Sequence, residues 1–389
     1  MKTSTEAVKR AHGLHSVEPL TTPIFETTTF VFDSAQQVRD YNEGKSDKYL
    51  YTRYGNPTVT AVEDKIAALE GAETALVLSS GQAATTTALL GLLKAGDEIL
   101  CSSAVYGGTL HLIADLLTKF GITARFASIE ELRRPERLFS SATRVLWFES
   151  PINPTLRCVD IAAVASACRA HGVTSMIDNT FASPVNQQPI ALGVDVVMHS
   201  ATKYLNGHSD VTAGVLAGPK ALLEPVQKAR RMLGTVLDPY AAYALGRGLK
   251  TLVVRVDRHN TNAMKIATWL AADTRVAAVY YPGLPQHPDH DIARKQMSGF
   301  GGMVCVDLHG GYDGAARFFD SLKLFNRAAS LGGVESLCSL PVITSQWGHS
   351  DEELERAGVT QGMARLSVGL EDADDLIADL DQALGILDP

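Results

Sequence analysis

The chain has 389 residues, of which 46% are hydrophobic and 20% charged, so we expect a globular protein with two domains. Its net charge is −8 and it has no basic run, which argues against nucleic-acid binding and leaves a small molecule as the expected partner. No apolar run reaches the roughly 18 residues of a transmembrane helix, and the first residues do not resemble a signal peptide. We therefore expect no membrane contact and a cytoplasmic location.

The cysteines and histidines indicate no metal site. The five cysteines lack CxxC spacing and are expected to be buried, unpaired side chains in a reducing compartment. His287 and His290 lie close together, but Pro288 separates them and no third ligand is near. We predict a surface loop there.

The order of apolar segments predicts an α/β architecture. Residues 1–55 are too irregular for a core element, which favours an arm that packs on another surface. From Thr74, short apolar runs alternate with longer amphipathic segments, as in a largely parallel sheet covered on both faces. The predicted strands are 75–78, 98–101, 145–148, 175–177 and 194–198, and the predicted helices between them include 82–94, 110–119 and 161–171.

A change of pattern after residue 247 predicts a second domain. A long helix at 255–271, a strand at 302–308 and a final helix from Asp374 indicate a smaller α+β unit. The predicted organisation is an arm at 1–55, an α/β domain at 56–247 and an α+β domain at 248–389.

The segment from Ser200 to Lys203 follows a predicted buried strand. Ligands of open α/β sheets bind at the carboxyl ends of strands, and the hydroxyls of Ser200 and Thr202 suit phosphate oxygens. A partly desolvated lysine has a lowered pKa and can form a Schiff base with an aldehyde, so Lys203 is a candidate nucleophile. A plain surface lysine is the alternative.

A carboxylate follows another predicted strand, in the segment from Asp178 to Thr180. An acid on an otherwise apolar strand is costly to bury without a cationic partner. A protonated ring nitrogen of a bound cofactor would be such a partner and would make the ring an electron sink. The alternative role for Asp178 is to cap the following turn.

Small residues and an aromatic follow two earlier strands. Gly81 and Gln82 lie where a strand passes into a helix, so their backbone N–H groups could bind an anion, although a tight turn explains them equally well. Tyr106 could lie on the face of an aromatic cofactor and move protons, or be an ordinary half-buried tyrosine.

Two arginines are candidates for anion binding. Arg53 lies in the polar segment YTRYGNPT and fits phosphate recognition, whereas Arg365 interrupts the apolar alternation of MARLSVG and suggests a substrate carboxylate. Either could instead form a routine salt bridge.

Taken together, these segments resemble the Cys/Met-metabolism family of fold-type I pyridoxal 5′-phosphate (PLP) enzymes. The resemblance covers nearly the whole chain. In chain order it includes YTRYGNPT, SSGQAA, VYGGT, ESPINPT, IDNTF, HSATKY, HPDHDIARKQMSGFGG, SLGGVESL and RLSVGLED. It implies a large, mostly parallel sheet domain with a smaller α+β C-terminal domain, PLP as cofactor, and a lyase or transferase of sulfur-containing or homoserine-derived amino acids.

The resemblance implies a role for each candidate residue. Lys203 would hold PLP covalently and shuttle protons, Tyr106 would stack on the ring and Asp178 would pair with the ring nitrogen. The remaining cofactor contacts would come from Gly81, Gln82, Asn153, Thr180, Ser200 and Thr202, and substrate carboxylate binding from Asn153, Ser330 and Arg365. Gln82 departs from the methionine of many relatives, but the expected contact uses backbone N–H.

The resemblance also implies an assembly. Tyr51 and Arg53 would reach the phosphate of a neighbouring subunit, so the active unit would be a dimer and the protein a homotetramer made of two such dimers.

The positions that separate members of the family disagree. Gly108 replaces the cysteine of typical methionine γ-lyases and Glu335 matches the cystathionine enzymes, which favours a cystathionine γ-lyase or γ-synthase. Leu50 stands where cystathionine enzymes often have an acid, and His111 where γ-lyases have arginine. Leu50 therefore favours the alternative, a methionine or homocysteine γ-lyase or an O-acylhomoserine sulfhydrylase.

The sequence is less consistent with two functions of other classes. A nucleotide-binding dehydrogenase is disfavoured because no GxGxxG follows a strand. A catalytically silent relative would be expected to lack Lys203 or Arg365, and both are present.

Overall fold

The computed structural model describes residues 2–9 and 19–387. Its larger sheet has seven strands in the order β1-β7-β6-β5-β4-β2-β3, and only β7 runs antiparallel to its neighbours. These strands are β1 (Thr74–Leu78), β2 (Glu98–Ser102), β3 (Thr123–Ala127), β4 (Thr143–Glu149), β5 (Thr174–Asp178), β6 (Val196–Ser200) and β7 (Gly214–Gly218).

The central strands are apolar on both sides because helices cover both faces of this sheet. On β4, Leu146 and Phe148 pack into one core cluster, which includes Val164 of a covering helix. Val145 and Trp147 point the other way, into a second cluster. The helices up to residue 249 are α1 (Thr3–Val8), α2 (Ala35–Asn42), α3 (Pro57–Glu70), α4 (Gly81–Leu92), α5 (Gly107–His111), α6 (Ile161–His171), α7 (Ser183–Asn186), α8 (Lys220–Leu233) and α9 (Pro239–Leu249).

A second sheet of five strands lies in the C-terminal part, in the order β10-β11-β12-β9-β8. Its strands are β8 (Val276–Tyr280), β9 (Met303–Leu308), β10 (Asn326–Arg327), β11 (Leu337–Ser339) and β12 (Met363–Ser367). The accompanying helices are α10 (Leu252–Ala271), α11 (His290–Gln296), α12 (Gly311–Ser321), α13 (Asp351–Arg356) and α14 (Ala373–Leu384).

Helix α10 connects the two sheets. Leu252 and Val256, near its start, belong to a core cluster of the seven-stranded sheet, whereas Ala263 and Ile266 belong to the core of the five-stranded sheet. The proposed domain boundary at 247/248 falls in α9, just before this shared helix.

The predicted strands and the helices at 82–94, 161–171 and 255–271 are present with end shifts of a few residues, but two predictions were wrong. Segment 110–119 is not one regular helix. Helix α5 ends at His111, and it is followed by a π-helical turn at Leu112–Leu116 and a 3₁₀ turn at Leu117–Phe120. The side chain of His287 is buried and not on the surface. Its loop folds back on itself: the backbone N of His287 donates to the carbonyl oxygen of Leu284, and its Nδ1 accepts a bond from Asp289 N.

The start of the chain contacts its own α/β domain in the described residues. Ala7 is buried, and the Nζ of Lys65 donates to the carbonyl oxygens of Ala7 and Lys9 at 2.9 and 3.0 Å. Contacts of residues 1–55 with a neighbouring subunit remain a prediction, and residues 10–18 of that segment lie outside the described residues.

All five cysteines are buried and unpaired, as expected. Burial raises the pKa of every thiol, to about 12 for Cys168 and Cys305. Within the described residues, no helix combines the length and apolar character needed to span a membrane.

Candidate active site

A cavity of about 610 Å³ opens where the carboxyl ends of β4, β5 and β6 meet the second sheet. Parallel strands place their carboxyl ends at one sheet edge, which is where ligands of such folds bind. Eleven of the predicted site residues line it: Gly81, Gln82, Tyr106, Asn153, Asp178, Thr180, Ser200, Thr202, Lys203, Ser330 and Arg365.

Lys203 lies just after β6 and projects toward the second sheet. Its Nζ donates a hydrogen bond to the Oγ of Ser330 at 2.9 Å. Burial, followed by the positive charge of Arg365, lowers the pKa of Lys203 to about 8. About a tenth of the amine is therefore unprotonated at pH 7, far more than for an ordinary lysine, and the unprotonated form is the one that attacks an aldehyde.

Asp178 ends β5 and is held by Thr180. Its Oδ1 accepts bonds from the backbone N of Thr180 at 3.0 Å and from its Oγ1 at 2.5 Å, while that Oγ1 accepts a bond from Ser200 N at 2.8 Å. Burial raises the pKa of Asp178. A cation placed against this carboxylate would offset the cost of burying its charge.

The start of α4 meets the end of β6 at one end of the cavity. A Cβ on Gly81 would lie 2.9 Å from the Cβ of Ser200 and 3.1 Å from its Oγ, so only glycine permits this approach. The first N–H groups of a helix have no partner within the helix and suit an anion. Thr202 lines the same cavity, and its Oγ1 accepts a bond from Ala213 N at 3.0 Å and donates one to the carbonyl oxygen of Ala213 at 3.2 Å.

Tyr106 precedes α5 and is 51% exposed at the cavity, a high value for a large aromatic side chain. Its backbone N donates to Oε2 of Glu149 at 2.9 Å. The ring of Tyr106 is therefore accessible from the cavity, whereas the backbone of Tyr106 is hydrogen-bonded to the buried end of β4.

Arg365 comes from β12 of the second sheet and is buried. Its Nη1 donates to Oδ1 of Asn153 at 2.8 Å and its Nη2 to the carbonyl oxygen of Ser330 at 3.1 Å. Its Nε is buried and has no hydrogen-bond partner among the described residues. Burial lowers the pKa of Arg365, but a guanidinium stays charged at neutral pH. Among the residues that the structure describes, no carboxylate lies within hydrogen-bonding distance of this cation.

Four predicted site residues do not line the cavity of their own chain: Leu50, Tyr51, Arg53 and Glu335. The guanidinium of Arg53 lies 4.8 Å from the ring centroid of Tyr54, and its Nη1 donates to the carbonyl oxygen of Arg231 at 2.7 Å. Glu335 is exposed and accepts a bond from the Oγ of Ser209 at 3.1 Å.

Sequence reasoning did not select several residues of the cavity wall, and two examples show why. Glu149, at the end of β4, is buried beside Asp178, and burial raises its pKa to about 8. The argument used for Asp178, an acid ending an apolar strand, would also have found it. Ile343, Thr344 and Ser345 come from a loop without periodic signal, so no pattern marked them.

The donor set fits PLP. An anion site at a helix start, a reactive amine, a buried carboxylate and an open aromatic face match a phosphate, an aldehyde, a ring nitrogen and a flat ring. The buried Arg365 Nε without a partner suits the carboxylate of an amino acid.

Comparisons with known proteins agree with this fit. The family described as "Cys/Met metabolism PLP-dependent enzyme" matches residues 4–385. L-methionine gamma-lyase of Pseudomonas putida is 43% identical over 367 residues, covering 94% of this chain and 92% of that protein. Chloroplastic cystathionine gamma-synthase 1 of Nicotiana tabacum is also 43% identical, over 368 residues, covering 94% of this chain and 68% of that protein.

A solved structure has the same fold throughout. The crystal structure of metB from Corynebacterium glutamicum superposes with a TM-score of 0.93 at 38% identity, covering all of this chain and 99% of the other.

The two-sheet fold and its cavity define a fold-type I PLP-dependent enzyme. The chain belongs to the Cys/Met metabolism PLP-dependent enzyme family. The predicted fold class, family, cofactor and enzyme class are thereby confirmed, and the family is consistent with the predicted small-molecule amino-acid substrate.

Proposed function

We propose that this enzyme cleaves or exchanges the γ-carbon heteroatom bond of a sulfur-containing or homoserine-derived amino acid, with cystathionine γ-lyase or γ-synthase chemistry first. The observation that carries the proposal is that an amine with a lowered pKa lies beside a site that can bind the carboxylate of an amino acid. Lys203 Nζ lies 2.9 Å from Ser330 Oγ, beside a buried Arg365 whose Nε has no partner among the described residues.

The α-carboxylate of the substrate would bind Arg365, with Asn153 and Ser330 beside it. Arg365 is already oriented by its bonds to these two residues. Binding at this point brings the substrate Cα near Lys203, because the amine contacts the same Ser330. Lys203 would then remove the Cα proton and return protons later in the reaction.

PLP, when bound, withdraws electrons from the substrate Cα and stabilises a carbanion there. We assign Asp178 to keep the ring nitrogen protonated and Tyr106 to cover the ring face. The helix start at Gly81 and Gln82, with Ser200, Thr202 and Thr180, would hold the remaining polar groups. Asn153 would contact the cofactor as well as the α-carboxylate of the substrate.

Gly108 supports the cystathionine enzymes over typical methionine γ-lyases. A Cβ at Gly108 would lie 2.5 Å from Cε1 of Tyr106 and 3.1 Å from Oε1 of Gln82. A cysteine there would therefore require the Tyr106 ring to move. The site is built around glycine.

The alternative function is a methionine or homocysteine γ-lyase or an O-acylhomoserine sulfhydrylase. Leu50 favours it, because an apolar side chain provides no partner for the distal ammonium of cystathionine. The relatives include both an L-methionine gamma-lyase and a cystathionine gamma-synthase at 43% identity, so overall similarity favours neither.

For the assembly we propose a homotetramer of two dimers in the cytoplasm, with Tyr51 and Arg53 completing the neighbouring site. Their position outside the cavity of their own chain supports this arrangement. The mass of the assembly in solution, measured by light scattering, would test the tetramer.

A substrate panel tests the function. The holoenzyme is given cystathionine, methionine, homocysteine, and O-acetyl- or O-succinylhomoserine with cysteine, and keto acid, thiol and cystathionine are measured. We expect the highest kcat/KM for formation or cleavage of cystathionine. A higher kcat/KM for methionine would select the alternative function. If none of the substrates were turned over, the protein would be a catalytically silent relative.

A further inference from the structure

One buried carboxyl group connects two segments of the cavity wall. Glu149 is 4% exposed. Its Oε2 accepts a bond from the backbone N of Tyr106 at 2.9 Å, and its Oε1 accepts one from the backbone N of Asn153 at 3.1 Å. Each oxygen therefore serves a different loop.

The bonds continue from Asn153 to the second sheet. The Oδ1 of Asn153 accepts a bond from Nη1 of Arg365, whose Nη2 donates to the carbonyl oxygen of Ser330. The Oγ of Ser330 accepts a bond from Lys203. Hydrogen-bonded residues thus connect Tyr106 through Glu149 to the amine, and two of the links pass through the covalent structure of Asn153 and Ser330.

Burying a carboxyl group at the end of β4 costs free energy. The preceding residues Leu146 and Phe148 are completely buried and apolar, and Glu149 is paired in register with Asp178, a second buried acid. Burial, then the charge of Asp178, raises the pKa of Glu149 to about 8. An apolar residue would cost less to bury at this position, so the polar group points to a role in the site.

We propose that Glu149 is a positioning residue that fixes Tyr106, on the cofactor side, relative to Asn153, on the carboxylate side. This inference rests on the proposed function, because it assumes that Tyr106 covers the cofactor and that Asn153 and Arg365 bind the substrate carboxylate. Glu149 acts through these residues and does not itself touch substrate.

The geometry dictates which substitutions are informative. Two N–H donors need two acceptor atoms. Both oxygens of Glu149 can accept whether the carboxyl group is ionised or protonated, whereas a glutamine of the same size has only one acceptor oxygen. In Glu149→Gln the amide nitrogen would face one of the two backbone N–H groups, so one loop is released. Glu149→Asp keeps both acceptors but withdraws them by one methylene.

A matched control is available at the other end of the sheet. Glu98, at the amino end of β2, is also buried and accepts bonds from side chains of Thr143, Ser140 and Arg125. It lies outside the cavity. Glu98→Gln therefore measures the cost of neutralising a buried glutamate without disturbing the site.

The test compares the full-length variants with wild type, each loaded with PLP. Visible circular dichroism reports how the bound cofactor is held, steady-state kinetics on the best substrate of the panel report kcat and KM, and thermal unfolding of the cofactor-free proteins reports stability. For Glu149→Gln we expect altered visible dichroism and kcat/KM lowered about ten- to hundredfold, since one buried donor is left unpaired. Glu98→Gln should match wild type in dichroism and kcat/KM.

Several outcomes would overturn the proposal. One is a Glu149→Gln protein that keeps wild-type dichroism and a kcat/KM within about threefold of wild type. Another is a loss confined to unfolding temperature, which is what a merely structural role produces. If Glu149→Gln does not fold, Glu149→Asp decides: unchanged dichroism and kcat/KM in that variant also refute the role. Failure of the proposed function is separate, because wild type itself would then turn over no member of the panel.

Discussion

The Nζ of Lys203 lies 2.9 Å from the Oγ of Ser330, although 127 residues separate them. Lys203 follows β6 of the seven-stranded sheet, and Ser330 lies between β10 and β11 of the five-stranded sheet. The reactive amine is therefore held between the two sheets, and its chemistry depends on both.

Replacement of the amine is the most direct prediction. Lys203→Ala removes both the covalent attachment of the cofactor and the proton carrier, so turnover should fall at least about a hundredfold. Turnover of the best substrate measures the loss of the proton carrier, and the mass of the chain after borohydride reduction and denaturation measures the loss of covalent attachment. A variant that keeps more than about a hundredth of the wild-type rate would remove Lys203 from its assigned role.

The lowered pKa of Lys203 predicts how cofactor loading depends on pH. The amine attacks only when unprotonated, so with a pKa of about 8 the attachment rate should rise about tenfold per pH unit below pH 7 and level off above about pH 9. Stopped-flow absorption of cofactor-free enzyme mixed with PLP measures this rate. Arg365→Gln removes a positive charge that lowers the pKa, so the levelling should move to higher pH. A wild-type rate still rising tenfold between about pH 9 and 10 would contradict the assignment.

Mixed dimers test whether Arg53 serves a neighbouring site. Arg53→Ala and Lys203→Ala proteins should each be impaired, but a hybrid dimer has one site with both groups intact. Random exchange in equal amounts should restore about a quarter of wild-type activity, because half of the dimers are hybrids with one intact site. Exchange is verified with differently tagged subunits. Hybrids that form without recovery would mean that each chain builds its own site.

Leu50 and Glu335 test how the distal end of the substrate is recognised. A charge-assisted hydrogen bond contributes about 1.5–3 kcal/mol, so Leu50→Glu should raise the preference for cystathionine over methionine roughly ten- to over a hundredfold, mostly through KM. If Glu335 is the existing partner, Glu335→Ala should lower that preference. The ratio of kcat/KM values measures both effects. An unchanged ratio in both variants would place recognition elsewhere and remove the physical basis for ranking cystathionine first.

The fold was largely predictable because its central strands are uniformly apolar. The run from Val145 to Phe148 has no polar interruption, so both periodicity and length indicated a buried strand. The strand from Thr123 to Ala127 was missed because it lies at the sheet edge with exposed and half-buried residues. The turns after His111 were missed because their apolar spacing resembles that of a regular helix.

Prediction of the candidate site depended on where each residue lies. Asp178 and Lys203 follow strands, and a parallel sheet brings such positions to one edge, so local sequence was enough to select them. Asn153 and Arg365 are 212 residues apart, and their 2.8 Å contact depends on the packing of two sheets. The periodicity of one chain segment carries no information about that packing.

The buried cysteines have a practical consequence. Because every native thiol is inaccessible and protonated at neutral pH, maleimide reagents should leave the folded wild-type protein unmodified. A single cysteine introduced at Trp347, which is 73% exposed and two residues from the cavity wall at Ser345, would then be the only labelling site. A fluorophore attached there could report movement of this loop as substrates bind, without removal of any native residue from the core.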